Sequence, residues 1–419
     1  METFPTIPEW ITLEHQVAEI LTQQEIHGWY FDERAARELE STLRREYEET
    51  TQLLRDRHPF VKGSEFTPKR ANARAGYVEG ATLTKLKEFN PTSRDHISWI
   101  LQTHYGWTPK LLTASGKAAI DETVLKELGT DIALSFLKLL DLTKQLGMIS
   151  EGVNAWQKLC TKSRIHHHCS TATATFRAAH RTPNLGQVPS DERFRRLFIA
   201  SPGKRLAAAD LSGIELRMLA HYLGRYDGGR YGRVLVEGDI HQENADKIGI
   251  SRKQVKTVTY CFLYGGGDIK IGHSYDKQLP ENEARKKGKE IRTAYVAAIP
   301  GLKELLEGVH KASERGYVRG LDNRRILCDS RHKSLNYLLQ GSSAIVAKKW
   351  MTLTHEHLPK SARQLAFIHD ELQFEAKEKD VDDLKFLLEL SAVQAGEYYN
   401  MRCPVAAESK SGYTWADTH

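Results

Sequence analysis

Ala208-Ala209-Asp210-Leu211-Ser212-Gly213-Ile214-Glu215-Leu216-Arg217 is the stretch on which the reading of this chain turns. Small apolar residues run into an aspartate, and from Ile214 the apolar positions Met218 and Tyr222 recur at helical spacing. The spacing predicts a strand that stops at Asp210 and a helix that begins directly after it. A carboxylate at a strand's end, with Glu215 one turn into the following helix, can hold a divalent ion against a ligand in a cleft. The same residues also fit a plainer arrangement, in which Asp210 caps the helix and Glu215 is a solvated acid. The remainder of the chain has to separate the two.

Composition sets broad limits. With 419 residues, 40% of them hydrophobic, the chain can bury a large core, and length suggests about two or three domains or subdomains. Its 60 basic and 54 acidic residues give a net charge of +6, which permits a polyanionic partner without demanding one. The cysteines (Cys160, Cys169, Cys261, Cys328, Cys403) are scattered without a Cys-x-x-Cys pair, which argues against a zinc module or a disulfide framework and fits a reducing cytoplasm. No apolar run of about 18 residues and no signal-peptide pattern occurs, so neither membrane insertion nor secretion is indicated.

Upstream of the central stretch, residues 1–12 carry Pro5, Pro8 and Trp10 and form a lead-in segment. A first helix from Leu13 reaches the turn His27-Gly28-Trp29. Asp32 then caps a long charged helix whose apolar residues Leu39, Leu43, Tyr47 and Leu54 make one narrow stripe. Such a stripe suits packing against a second long helix, expected over residues 132–148, where Leu134, Leu137, Leu140 and Leu142 cluster. Together the two predict an antiparallel helical stalk. Between them, residues 57–88 hold Gly, Pro and the cations Lys62, Lys69, Arg70, Arg74, Lys85 and Lys87, which predicts a mobile loop, either a solvated connector or a basic docking tip. Phe89-Asn90-Pro91-Thr92-Ser93 follows as a turn into a helix, and Ser93 can cap that helix or receive a phosphate.

Arg164-Ile165-His166-His167-His168-Cys169 invites a metal reading that alternation rejects, because neighbours on an extended strand point to opposite faces. The strand is expected to continue from Thr171 to Arg177 and to give way to the turn-rich Pro183-Asn184-Leu185-Gly186-Gln187-Val188-Pro189.

Downstream, Gly238-Asp239-Ile240-His241 starts a helix, and the helix from Ser251 to Tyr264 is the second strong signal. Arg252, Lys256 and Tyr260 stand at i, i+4 and i+8, drifting about 40° per step, so two cations and an aromatic share one side. A triphosphate laid along that stripe would meet charge at one end and a flat ring at the other. Arg285-Lys286-Lys287-Gly288-Lys289 reads as a solvated helix surface. The run from Leu335 through Asn336 and Gln340 to Ala344 begins a largely apolar helix. Last comes Leu365-Ala366-Phe367-Ile368-His369-Asp370-Glu371-Leu372-Gln373-Phe374, where an apolar strand meets His-Asp-Glu. Leu372, Phe374 and Ala376 then alternate with Glu371, Gln373 and Glu375, the period of a half-buried strand and so of a hairpin with acids at its turn. Clustered carboxylates repel one another unless cations are present, which favours a metal site shared with Asp210.

These pieces resemble the motifs of family A DNA polymerases, the bacterial polymerase I type, in the family's order. Asp210-x-Ser212-x-x-Glu215-Leu216-Arg217, the Arg252-x-x-x-Lys256-x-x-x-Tyr260-x-x-x-Tyr264-Gly265 helix, Asn336-x-x-x-Gln340-Gly341 and His369-Asp370-Glu371 carry the likeness. The segment ending in Arg177 and the one holding Asn184 and Gln187 add to it, with Phe176 and Cys261 at positions where the family commonly has glycine. Lys144-Gln145-Leu146-Gly147-Met148 and Phe262-Leu263-Tyr264-Gly265 resemble the replicative polymerases of short-tailed bacteriophages. The resemblance implies an α+β right-hand fold with an antiparallel palm sheet, helical fingers and a helical thumb. Residues 13–157 are then the thumb, with 57–88 at its tip, 158–213 and 336–419 the palm, and 214–335 the fingers.

The resemblance also implies roles. Asp210 and Asp370, with the Leu211 carbonyl, hold two Mg²⁺ ions, for which Mn²⁺ can substitute, and Glu371 supports them. His241, Arg252 and Lys256 bind the triphosphate, and Lys256 can give a proton to the leaving group. Glu215 excludes the ribose 2′-hydroxyl, Tyr260 stacks near the sugar, and Tyr264 keeps the template base's place until closure. Arg177 and Gln340 read the minor groove, while Asn184, Gln187, Asn336, His369 and Ser93 contact primer-template DNA. The function implied is DNA-templated addition of dNTPs to a primer 3′-hydroxyl by a monomeric enzyme in the cytoplasm of a host cell. A single-subunit RNA polymerase and a two-metal nuclease share the two aspartates and stand as alternatives. With 12 residues ahead of the first helix, no proofreading exonuclease is expected in this chain. A separate exonuclease subunit, a thioredoxin-like processivity factor and a replicative helicase are the partners the resemblance brings with it.

Overall fold

A computed structural model of the chain describes residues 7–113, 115–277 and 279–419. Pro5 of the lead-in segment lies outside them. The chain divides into two compact units: residues up to Phe31 together with Thr161–His419, and the continuous segment Asp32–Cys160.

The larger unit is built on a four-stranded antiparallel sheet. Its strands are β1 (Lys204–Leu211), β2 (Arg363–Ile368), β3 (Glu371–Lys377) and β4 (Ala407–Gly412), in the spatial order β2-β3-β1-β4. Size complementarity fixes the pairing of the inner strands, since Ala207 and Ala209 of β1 stand opposite Phe374 and Leu372 of β3. The helix Val381–Tyr398 covers β1 and β4. The apolar helix Ser334–Glu356 packs on it, and the Trp350 indole N–H donates to the Leu388 carbonyl at 2.8 Å.

Strand β3 departs from the expected half-buried pattern. Glu371, Gln373 and Glu375 are as buried as Leu372, Phe374 and Ala376, so both faces of the strand are covered. The polar face is tolerated because each group is met. Glu375 accepts from His27 at 2.8 Å, from the Ser201 hydroxyl at 2.6 Å and from Lys204 at 3.0 Å. Burial opposes its charge, yet these hydrogen bonds from His27, Ser201 and Lys204 hold its pKa down near about 2.

The first helix, Glu9–His27, was expected with the helical arm and packs instead within the larger unit. Buried polar contacts account for this. The fully buried Lys348 ammonium lies 2.7 and 2.8 Å from the two carboxylate oxygens of Glu14, and Arg324 pairs with both Glu14 and Asp322. Farther along, Gln364 donates to Gln24, and Gln24 donates to His167. The three neighbouring histidines do not share the expected strand, because Arg164–Ile165 and His168–Ser170 are strands of different sheets joined by His166 and His167; His167 is buried, whereas His166 and His168 bond to Glu25. Nor does the second of these strands run on to Arg177. It stops at Ser170, and a turn takes over.

Helices fill the region from Ile214 to Ser313. The pair Asp268–Tyr275 and Glu281–Ala298 meets so closely that a Cβ on Gly288 would stand 1.7 Å from the Asp268 carbonyl oxygen. Gly288, read from sequence as part of a solvated surface, is therefore the buried contact of an otherwise exposed basic turn.

In the smaller unit the helices Glu33–Arg57 and Asp131–Leu146 pack together, with the ion pair Arg44–Glu151 at 3.1 Å beside them. Leu54, Val61, Phe89, Ile97 and Phe136 form a separate core there. The expected loop over residues 57–88 is instead an antiparallel ribbon of Phe60–Phe66 and Leu83–Glu88. Of the residues that suggested a loop, Pro68, Gly76 and Gly80 lie in the connection between its strands, whereas Gly63 lies within the first. All cysteines are free, and among the described residues no helix is long and apolar enough to cross a membrane.

Candidate active site

Asp210 sits at the end of β1, where the strand hands over to the helix Ile214–Leu223 through Gly213 at φ +56. A left-handed residue there lets the chain turn sharply, a conformation glycine adopts at little cost. The turn between β2 and β3 brings Asp370 alongside. Its carbonyl accepts from the Leu211 N–H at 3.0 Å, so one backbone hydrogen bond joins the two acid-bearing segments. Across the sheet Asp210 stands opposite Glu371 of β3 and Glu408 of β4. A polar recess of about 180 Å³ opens there, lined by Asp210, Glu371, Glu408 and His419 among others.

The acids share one strained electrostatic environment. Burial, then the charges of Asp370 and Glu371, push the Asp210 carboxyl up to about 7. Burial and the Glu215 charge push Asp370 up to about 6, against the pull of Arg177. Glu371 is differently placed, because its carboxylate already accepts from Trp415 Nε1 at 3.0 Å, His419 Nδ1 at 3.0 Å and the Gln373 amide. That makes it a scaffold acid. Among the described residues no three His, Cys, Asp or Glu side chains are gathered to hold an ion by themselves. The donor set still suits a hard cation: two crowded carboxylates, backbone carbonyls at strand ends, and space for ligand oxygens.

Glu215 is 7% exposed and held from two sides. Arg177 Nη2 donates to its Oε1 at 3.2 Å, and the Tyr264 hydroxyl donates to the same oxygen at 3.1 Å. It is thus no solvated acid. Tyr264 closes the helix Arg252–Leu263, which opens on a capping box between Ser251 and Gln254. The ring of Tyr260 stacks on Tyr264, with centroids 6.3 Å apart, and the His241 ring lies 6.4 Å from Tyr260. His241 is pushed below its ordinary value by burial and by Arg252 and Lys256, against the opposing charge of Asp239. The predicted stripe therefore exists, but its cations differ. Arg252 is committed to Asp239 at 2.6 Å, while Lys256, exposed, has no carboxylate within ion-pair distance among the described residues.

Phe176 keeps the backbone path that a glycine would take, with φ +58. Its ring faces the Arg324 guanidinium at 5.0 Å and the Lys348 ammonium at 5.6 Å, contacts that offset the strain and anchor the next residue, Arg177. Cys261 is accommodated by a glycine elsewhere, since a Cβ on Gly266 would meet its sulfur at 2.3 Å.

The expected DNA-contacting residues are distributed unevenly. Gln340 is half-buried, with no hydrogen bond to its amide among the described residues. Asn336 spends its amide on the Leu263 carbonyl at 2.8 Å, tying the helix Ser334–Glu356 to the end of the Tyr260 helix. Asn184 accepts from the Gly186 N–H, and Gln187 is exposed on the same short turn, which adjoins His369. His369 itself has φ +61. Ser93 belongs to the smaller unit, where its hydroxyl accepts from the His96 N–H as a helix cap. Glu408 is the site residue that sequence reading missed. Its only signal was the alternation of Ala407-Glu408-Ser409-Lys410, which gives no strand partner.

The profile of DNA polymerase family A matches residues 66–417. The DNA-directed DNA polymerases of Enterobacteria phage T3 and Escherichia phage T7 are each 30% identical over 500 aligned residues, spanning 98% of this chain and 70% of theirs. DNA polymerase I of Pseudomonas aeruginosa is 26% identical over 80% of this chain and 39% of its own length. In three dimensions, the polymerase domain of Pol1 from M. smegmatis, solved with DNA primer-template and dNTP, superposes with a TM-score of 0.78 at 21% identity. That match covers 96% of this chain and 70% of the other, and shows the right-hand polymerase fold. The chain belongs to DNA polymerase family A.

Proposed function

We propose that this chain is a DNA-templated DNA polymerase that joins a dNTP to a primer 3′-hydroxyl by two-metal-ion nucleotidyl transfer. The observation that carries the reading is the pairing of Asp210 with Asp370, whose carboxyls are raised to about 7 and about 6 by burial and by the charges of neighbouring acids, a crowding that a divalent cation would relieve. With the Leu211 carbonyl they would hold two Mg²⁺, or Mn²⁺ in its place. When bound, the ions lower the pKa of the primer hydroxyl and stabilise charge on the α-phosphate and the departing pyrophosphate.

The remaining work falls to the chain's own residues. Lys256, uncommitted and one turn from Tyr260, meets the triphosphate and can protonate the pyrophosphate as its bond to the α-phosphorus breaks. Arg252 joins it on leaving Asp239, and His241 lines the same side. Glu215, fixed by Arg177 and Tyr264, fills the space beneath the sugar and so selects deoxyribose. Tyr260 stacks by the sugar, while Tyr264 leaves Glu215 as the helix moves toward the palm, a gating step. Arg177 and Gln340 test minor-groove acceptors common to all correct pairs, with Asn184, Gln187, Asn336 and His369 along the strands. In this reading β1–β4 form the palm floor, the helices from Ile214 to Ser313 the fingers, and the unit Asp32–Cys160 the thumb.

The direct test is single-turnover extension of a bound primer-template by Asp210→Asn and Asp370→Asn. Each should slow the chemical step by at least about 10³-fold while primer-template affinity stays within about threefold, as expected when the interaction lost belongs to the transition state. Extension within about tenfold of wild type in both variants would refute the assignment.

A further inference from the structure

At the far end of the helix Ile214–Leu223 from Glu215 lies a cleft of about 580 Å³ that the reaction does not use. Its mouth carries Arg225, Arg315, Arg319 and Arg402, all exposed, and no Asp or Glu lines it. Among the described residues none of these four guanidinium groups has a carboxylate within 4 Å; their recorded hydrogen bonds go to main-chain carbonyls or are absent. Arg315 and Arg319 lie over the Tyr317 ring at 5.1 and 6.0 Å, which leaves their charge unneutralised, and four guanidinium groups without a carboxylate around one cleft favour a ligand with several negative charges. The floor is of another character. Tyr222, Val309 and Leu338 are buried there, and the half-buried Tyr399 and the 46% exposed Tyr226 line the same cleft. Charge at the rim and flat apolar surface within suit a phosphate joined to a base.

The cleft and the carboxylate-bearing site share one helix. Seven residues separate Glu215 from Tyr222 on one helix, about 10 Å along its axis. The Tyr222 hydroxyl lies 2.8 Å from the Ser342 hydroxyl, on the helix that carries Gln340.

We propose that this cleft is a second nucleotide-binding site, which takes the phosphates of a nucleotide unit on Arg225, Arg315, Arg319 and Arg402 and its base against Tyr226 and Tyr399. The unit comes either from a free nucleoside triphosphate or from unpaired DNA, and the site stands apart from the carboxylate-bearing one.

The test uses the full chain with Arg225→Gln/Arg319→Gln and Arg225→Lys/Arg319→Lys, both surface changes whose melting midpoints should match wild type. Binding of fluorescein-labelled (dT)₁₂ and of dTTP is followed in EDTA over a salt series. Loss of (dT)₁₂ affinity by fivefold or more in the Gln variant, with a salt slope smaller by about 1.4 and partial recovery in the Lys variant, supports the strand as source. The same loss seen with dTTP alone supports the free nucleotide. Extension of a primer on a template with a one-nucleotide overhang reports the catalytic site separately and should stay within twofold. Unchanged binding of both probes would overturn the proposal, and so would a loss confined to a labelled oligoglutamate peptide run as a third probe. A parallel fall in one-nucleotide extension would overturn it too, by placing the arginines in the catalytic cleft.

Discussion

Glu215 shows what a single residue decides. Its type and its place one turn after Asp210 were readable in sequence, yet a solvated acid fitted that pattern equally well. Only the structure supplies Arg177 and Tyr264 as its partners, drawn from segments 38 and 49 residues away. Asp210 and Asp370 were legible for the same reason, as acids at strand ends in recognisable strings. Glu408 and the contacts of Glu371 to Trp415 and His419 were not, because cross-strand register depends on the whole sheet. If Glu215 occupies the space beneath the sugar, Glu215→Ala should relax sugar selection. The ratio of kcat/KM for rNTP over dNTP is expected to rise by at least about tenfold, roughly 1.4 kcal/mol of discrimination. A ratio unchanged within twofold, with dNTP extension retained, would remove Glu215 from that role.

At the scale of elements, sequence periodicity found helices well and misjudged exposure. The alternation in β3 predicted one wet face, but His27, Ser201 and Lys204 meet Glu375 from elements distant in the chain. The ribbon Phe60–Phe66 with Leu83–Glu88 was read as loop because breakers in its connection outweighed short apolar alternation. The junction of the first helix with the sheet rests on a buried polar chain, in which His355 donates to Gln364, Gln364 to Gln24 and Gln24 to His167. The His180 ring packs 5.2 Å from His167. Burial pushes His167 down to about 3 and His180 to about 4 from an unfolded value near 6.5. Between those limits the unfolded chain binds more protons, so the stability these rings contribute is complete above about pH 6.5 and is lost as pH falls toward 4. Asp210 and Asp370, raised when folded, act in the opposite sense over part of that window, so the difference between two proteins is the measurement. The stability of wild type relative to His180→Phe, from urea unfolding, should fall by about 2 kcal/mol between pH 7 and pH 5. A difference independent of pH would show that His180 is not held neutral.

For the whole molecule, the order of motifs along the chain carried the fold, since the Asp210 and His369-Asp370-Glu371 strings meet only when the sheet closes as β2-β3-β1-β4. What composition could not give is the division into units, which falls at Phe31/Asp32 and Cys160/Thr161 and leaves the first helix with the sheet. That helix is held by Glu14 to Lys348 of the helix Ser334–Glu356, and by Gln24 and His27 to Gln364 and Glu375 of the sheet, partners 334, 340 and 348 residues on. The central claim concerns what the assembled chain does with a nucleic acid. The measurement that tests it most directly is extension of a labelled primer on a DNA template with Mg²⁺, supplied with dNTPs or with rNTPs. Template-directed extension with dNTPs, at least about tenfold weaker with rNTPs and abolished by Asp210→Ala, is the predicted result. Primer shortening silenced by the same substitution, or efficient extension with rNTPs, would contradict it.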